Sequence, residues 1–142
     1  MAYVGDLDDA EMLRRPAPGC NHINWQLGHL ITAENMMIGK VATGSVPPLP
    51  SGFAEKYTKQ TATQDDAGAF CSKTELLRVH QEQRAATLAA LDKLSDSDLD
   101  KPSGIDWCPT VGETFVGQGV HWLMHAGQWA VVRRQLGRPP LF

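Results

Sequence analysis

The chain has no run of about 18 uninterrupted apolar residues, so nothing in it reads as a transmembrane span. It has no block of like charge either. Acidic and basic residues mix along 142 residues, with a net charge of −3 and a pI of about 5.9. That balance gives no basic footprint for nucleic acid or an anionic lipid surface. Only three cysteines occur, Cys20, Cys71 and Cys108, odd in number, widely spaced and in no C-x-x-C arrangement. That spacing argues against a disulfide framework and against a cysteine zinc site, and a reduced setting fits. The first residues, MAYVGDLDDAEML, lack the basic and apolar regions of a secretory leader. Together these absences predict a single cytoplasmic domain over residues 1–142, with no nucleic-acid or membrane partner.

β-branched alternation is nearly absent too, which leaves helices and an all-α reading. The first helix follows PAPGCN, takes Asn21 as its N-cap and runs to about Gly39. The second spans roughly 72–94, with Leu77, Leu88 and Leu91 on one stripe at helical spacing. The third runs from about Thr114 to Leu136, with Arg133 and Arg134 in its last turn and Gly137 beyond it. Between the first two lies GSVPPLPSGFAEKYTKQTATQDDAG, and Phe53 and Tyr57 give that segment something to dock with. Loops of this length usually serve a site, so a lid wrapped over the bundle is expected.

A weak repeat links DLDDAEMLRRPAPG to KLSDSDLDKPSG. Each has an apolar residue, a capping residue (Asp8, Ser95), an acid three later (Glu11, Asp98) and an apolar residue after that. This is the pattern of a capping box with a hydrophobic staple. Each copy leads through a loop into a helix that carries histidine.

The chemistry concentrates in VHWLMHAGQW, where His121 and His125 stand at i and i+4. On a helix that puts two imidazoles on one face, one turn apart, suited to a single metal ion. His29, in NWQLGHL, is the candidate third ligand, because a pair alone binds weakly and a third completes a site with open positions. Taken alone, His29 reads first as a core histidine bonded to a carbonyl, and the ligand reading comes from the pair at His121 and His125. His22 lies about 10 Å from His29 along a straight helix, too far to share an ion, and reads as a polar residue at the helix start. Arg84 is a candidate for an anionic substrate group or an edge residue with a buried stem. Gln128, one turn beyond His125, is a candidate to bond a metal-bound water or a ligand histidine, or an interhelical contact. No serine or cysteine is placed by motif as a nucleophile. Glu34, five residues beyond His29, is turned away around the helix.

NHINWQLGHL followed about ninety residues later by HWLMHAGQ resembles the DinB-like/YfiT superfamily of metal-binding proteins. The resemblance covers nearly all of the chain from about Leu7. It implies an antiparallel four-helix bundle, with a W-x-x-GH histidine on the second helix and an H-x-x-x-H pair on the fourth. Carried over residue by residue, the metal ligands are His29, His121 and His125, and Gly127–Gln128 also resembles the family. The implied cofactor is a divalent transition metal (Zn, Ni, Fe or Mn). The implied function is a metal-dependent enzyme that activates a thiol or water: a thiol S-transferase or isomerase using a low-molecular-weight thiol such as bacillithiol or mycothiol, or a hydrolase. The alternative is a non-catalytic, stress-related metal-binding bundle. The family's first helix should precede Leu7 and is largely missing here. The flank of residues 25–38 is therefore expected to lie open, in a fragment whose start lies upstream or in a protomer that covers it by homodimerisation.

Overall fold

Capping chemistry starts each of the three long helices in the computed structural model, which describes residues 1–141. Helix α1 (Ile23–Val41) opens on His22, whose Nδ1 accepts the Trp25 amide at 3.0 Å. The cap is thus one residue later than the asparagine expected, and an imidazole nitrogen takes the place of a side-chain oxygen. Helix α2 (Lys73–Leu91) opens on Ser72, and α3 (Asp96–Leu99) is a single turn. Helix α4 (Val111–Gln135) starts three residues before the expected Thr114, because Thr110 and Glu113 form a reciprocal capping box. Both copies of the sequence repeat do the same. Asp8 and Glu11 exchange backbone-to-carboxylate bonds ahead of a 3-10 turn, and ahead of α3 the Ser95 hydroxyl accepts the Asp98 amide while the Asp98 carboxylate accepts the Ser95 amide.

Side-chain bonds give the helix directions. Asn24 donates to the Cys71 carbonyl just before α2, Asn35 to Gln83, and Glu34 accepts from Thr87. Positions on α1 and α2 therefore advance together, and the two helices run parallel. Against α4 the order reverses: Gln26 meets Gln128, Glu34 meets Trp122 and Met37 meets Gln118, so α1 and α4 are antiparallel. Antiparallel neighbours need only about 2–8 connecting residues, whereas parallel ones need a crossover. This explains the long segment between α1 and α2, and it corrects the expectation that these neighbours alternate in direction.

That crossover folds as three short 3-10 turns on the flank of α1, with Phe53 and Tyr57 buried. The Trp25 indole donates to the Thr58 carbonyl and the Thr61 hydroxyl, and Arg15 clamps the far end through Asp65 and the Ala62 carbonyl. Trp25, Leu27, Leu30, Ile31, Met37 and Ile38 are all buried, and of the apolar residues expected to need cover on that flank only Met36 stands exposed. The flank of residues 25–38 is covered, contrary to expectation.

Two features depart from the reading of the sequence. A short antiparallel hairpin, β1 (Pro102–Ile105) and β2 (Cys108–Thr110), precedes α4 and turns through Asp106 and Trp107. Its strands are too short, and begin too close to a proline, to show alternation. The buried face of α2 is Leu76, Val79, Gln83, Thr87 and Ala90, while Leu88 is exposed. Gln83 and Thr87 face inward because they bond Asn35 and Glu34, which rotates the helix away from the stripe its leucines suggest. Glu34 itself is fully buried and fully partnered, by Arg84 at 2.7 Å, Thr87 at 2.7 Å and the Trp122 indole at 3.0 Å. One carboxylate thus ties the three long helices together. Among the described residues no helix is long and apolar enough to cross a membrane, and all three cysteines are free thiols.

Two histidines away from the α1–α4 contact make the fold acid-sensitive. Burial, aided by Arg15, pushes His22 down to about 4, and burial, aided by Arg84, pushes His80 to about 4. The unfolded chain therefore binds more protons between roughly pH 6.5 and 4, so stability falls as pH drops through that window and is flat above it. Urea midpoints measured from pH 7.5 to 4.5 should decline, and the slope should shrink in a His22→Asn/His80→Phe variant. An equal slope in that variant would assign the acid sensitivity elsewhere.

Candidate metal centre

His29 projects from the middle of α1 toward α4, where His121 and His125 lie one turn apart. The ring centroids form a triangle with sides of 5.1 Å (His29–His121), 5.1 Å (His121–His125) and 5.9 Å (His29–His125). One nitrogen from each ring lies within 4.8 Å of the others. Ligands of a tetrahedral ion with bonds of 2.0–2.1 Å stand about 3.3 Å apart, so small side-chain rotations place all three on one ion. Trp25 stacks on the His29 ring at 5.0 Å and 11° between planes, which holds its orientation.

The protonation state also suits a cation. Burial lowers His29 and His121 below the usual imidazole range, and burial with the two neighbouring rings lowers His125 to about 4. All three are neutral at pH 7, each with a lone pair to offer.

For His125 the network says which nitrogen is free. The Gln26 carboxamide lies between the Trp129 indole, a donor only, and the Asn21 carbonyl, an acceptor only. Its oxygen must therefore face Trp129, at 2.8 Å, and the same oxygen lies 3.2 Å from His125 Nδ1. Nδ1 carries the proton, and Nε2 is left for a ligand. Gln128 accepts from the Gln26 amide at 2.8 Å. It thus acts on the histidine that orients toward the cluster only through Gln26. Arg84 is engaged by Glu34 and lies over the Trp122 ring at 5.4 Å, so its charge is already matched within the fold. Sequence reasoning passed over Gln26. The signal was there, a polar residue within an apolar helix three positions before His29, inside the quoted motif itself.

His29 and His121 open onto a trough of about 610 Å³. Its walls are mostly apolar, with Ala33, Met36 and Met37 from α1, Trp107 from the hairpin and Val116, Val120 and Met124 from α4, while Glu113 and Gln118 of α4 add polar groups. The crossover segment expected to act as a lid contributes nothing to this lining. The hairpin takes that place, with Trp107 at its tip 72% exposed.

Removing the Gln26 acceptor should loosen His125. Gln26→Met is expected to weaken metal binding about 10–100-fold, the usual cost of losing a partner that orients a ligand histidine. Competition against a chelator at pH 7 measures it, and an unchanged affinity would show that the Gln26–His125 contact does not orient the ring.

No curated protein and no solved structure matches the chain. A sequence model of the DinB superfamily matches residues 1–129, a span that holds both the α1 and the α4 histidines. With three histidines able to hold a metal ion on a largely helical frame, the chain belongs to the DinB superfamily.

Proposed function

We propose that this protein is a metal-dependent enzyme, with one divalent ion (Zn, Ni, Fe or Mn) on His29, His121 and His125. In this reading α1, α2 and α4 take the places of the second, third and fourth helices of the superfamily's bundle. Bound there, the ion would lower the pKa of a coordinated water or thiol toward neutrality. The chain's own part is to present three neutral imidazoles, fix the His125 tautomer through Gln26, and line the approach with mostly apolar side chains. The substrate is a small molecule with an apolar body, and a low-molecular-weight thiol is its partner in a transferase or isomerase reaction; hydrolysis is the other member of this class. The three unpaired thiols accord with a cytoplasmic setting.

One observation carries the proposal. Two of the three rings face an open trough, whereas structural metal sites are closed by four protein ligands. Elemental analysis of untagged protein, then assays of the metal-loaded protein with several thiols and with ester and amide substrates, tests it. Metal-dependent consumption of one of them is expected. Stoichiometric metal with no turnover of any would leave the non-catalytic bundle as the better reading.

A further inference from the structure

The outer side of α4 is apolar and uncovered. Between Glu113 and Arg133 the helix carries no Asp, Glu, Lys or Arg. On the side turned away from the core, Val116 is 68% exposed, Val120 62% and Leu123 74%. These positions follow one another at spacings of four and three, so they form one continuous stripe. Scattered exposed hydrophobics are ordinary on a soluble protein, whereas a continuous stripe marks a contact surface. Helix α4 is not apolar enough to cross a membrane.

We propose that this stripe is a homodimer interface, in which α4 packs antiparallel on α4 of a second copy across a two-fold axis beside Leu123 and Met124. A two-fold contact must be self-complementary, so that each residue pair occurs twice. With the axis there, Val116 faces the partner's Val131, and Val120 faces the partner's Gly127, where the missing side chain leaves room for it. The charges decide the direction. Glu113 and Arg134 stand at opposite ends of the stripe, about 32 Å apart on a straight helix. An antiparallel pair sets each against its opposite on the partner, whereas a parallel pair would set Glu113 on Glu113 and Arg134 on Arg134. Arg134 has no ion pair among the described residues, which leaves its charge available. Val116, Val120 and Met124 also line the trough, so the second α4 would stand along the outer edge of the site.

Sedimentation equilibrium of the full chain over a range of concentrations tests the proposal, independently of any metal. The wild-type chain is expected to dimerise. Leu123→Glu should yield a monomer with unchanged circular dichroism, and Leu88→Glu, an exposed apolar residue on α2, should remain dimeric. Arg134→Glu should weaken the dimer by about tenfold or more by facing like charge. Adding Glu113→Gln, which keeps the capping box, should recover part of that loss. A chain that stays monomeric at every concentration overturns the proposal, and so does one that instead takes up phospholipid vesicles through the stripe. A dimer that Leu123→Glu leaves intact would also overturn it.

Discussion

Replacing His29 by alanine is expected to abolish stoichiometric metal binding while the fold remains. The loss follows from geometry: His121 and His125 alone form an i, i+4 pair on one helix, and the third ligand comes from another helix packed against it. The fold should persist because His29 is only half-buried and anchors no hydrogen bond that another element depends on. Two readouts separate these effects. Metal per chain after dialysis should fall from about one to near zero for a site of this class. Added metal should raise the unfolding midpoint of the wild-type chain, since a ligand at 100 times its Kd stabilises by about 2.7 kcal/mol. It should leave the His29→Ala midpoint where it was. His22→Asn is the control that loses a histidine without losing metal. An unchanged stoichiometry in His29→Ala would remove it from the ligand set and take the proposed site with it.

The histidines were legible because metal chemistry imposes a spacing that a one-dimensional pattern can carry. One helical turn separates His121 from His125, and a family motif surrounds His29. Helix starts were legible to the same degree as their capping chemistry. Ser95–Asp98 and Asp8–Glu11 announce themselves by an acid three residues after the cap; Thr110–Glu113 carries the same signature but sits inside the hairpin's end, so the sequence alone places the start of α4 three residues late. The cap of α1 was hidden because an imidazole rarely serves there.

The partners of polar residues in the interior were not legible. Gln83 and Thr87 turn inward only because Asn35 and Glu34 meet them from α1, and that meeting exists only once the helices are seen to run parallel. Gln26 is the same case. Its role depends on Trp129 and His125, a hundred residues away, and nothing local in NWQLGHL points to them. The hairpin was missed because seven strand residues carry too little periodicity to register, yet it supplies one wall of the trough.

Gly28 joins the fold to the site, and an alanine there is expected to cost about 2–3 kcal/mol, in the upper part of the range for overpacking. A β-carbon on Gly28 would lie 2.3 Å from Cε1 of Tyr57 and 2.4 Å from its Cδ1 and Cζ, well inside contact distance. The ring cannot simply move aside. Its hydroxyl accepts the Cys71 amide at 3.0 Å, and Phe53 and Phe70 flank it at 5.0 and 5.9 Å. Gly119 provides the contrast, since a β-carbon there meets nothing within 4 Å. Gly119→Ala should therefore stabilise by about 0.5–1 kcal/mol, the ordinary gain of alanine over glycine inside a helix. The same substitution thus changes sign between α1 and α4, and urea unfolding of both variants measures it. If the cost comes from Tyr57, most of it should vanish in a Tyr57→Ala background, a coupling that a double-mutant cycle isolates. The strain should also reach the metal. The turn that carries Tyr57 leads into Thr58 and Thr61, which hold the Trp25 indole, and Trp25 stacks on His29. Gly28→Ala should therefore weaken metal binding as well as stability. A variant as stable as wild type would mean that the crossover does not pack on Gly28 in solution, and the orientation of His29 would then need another support.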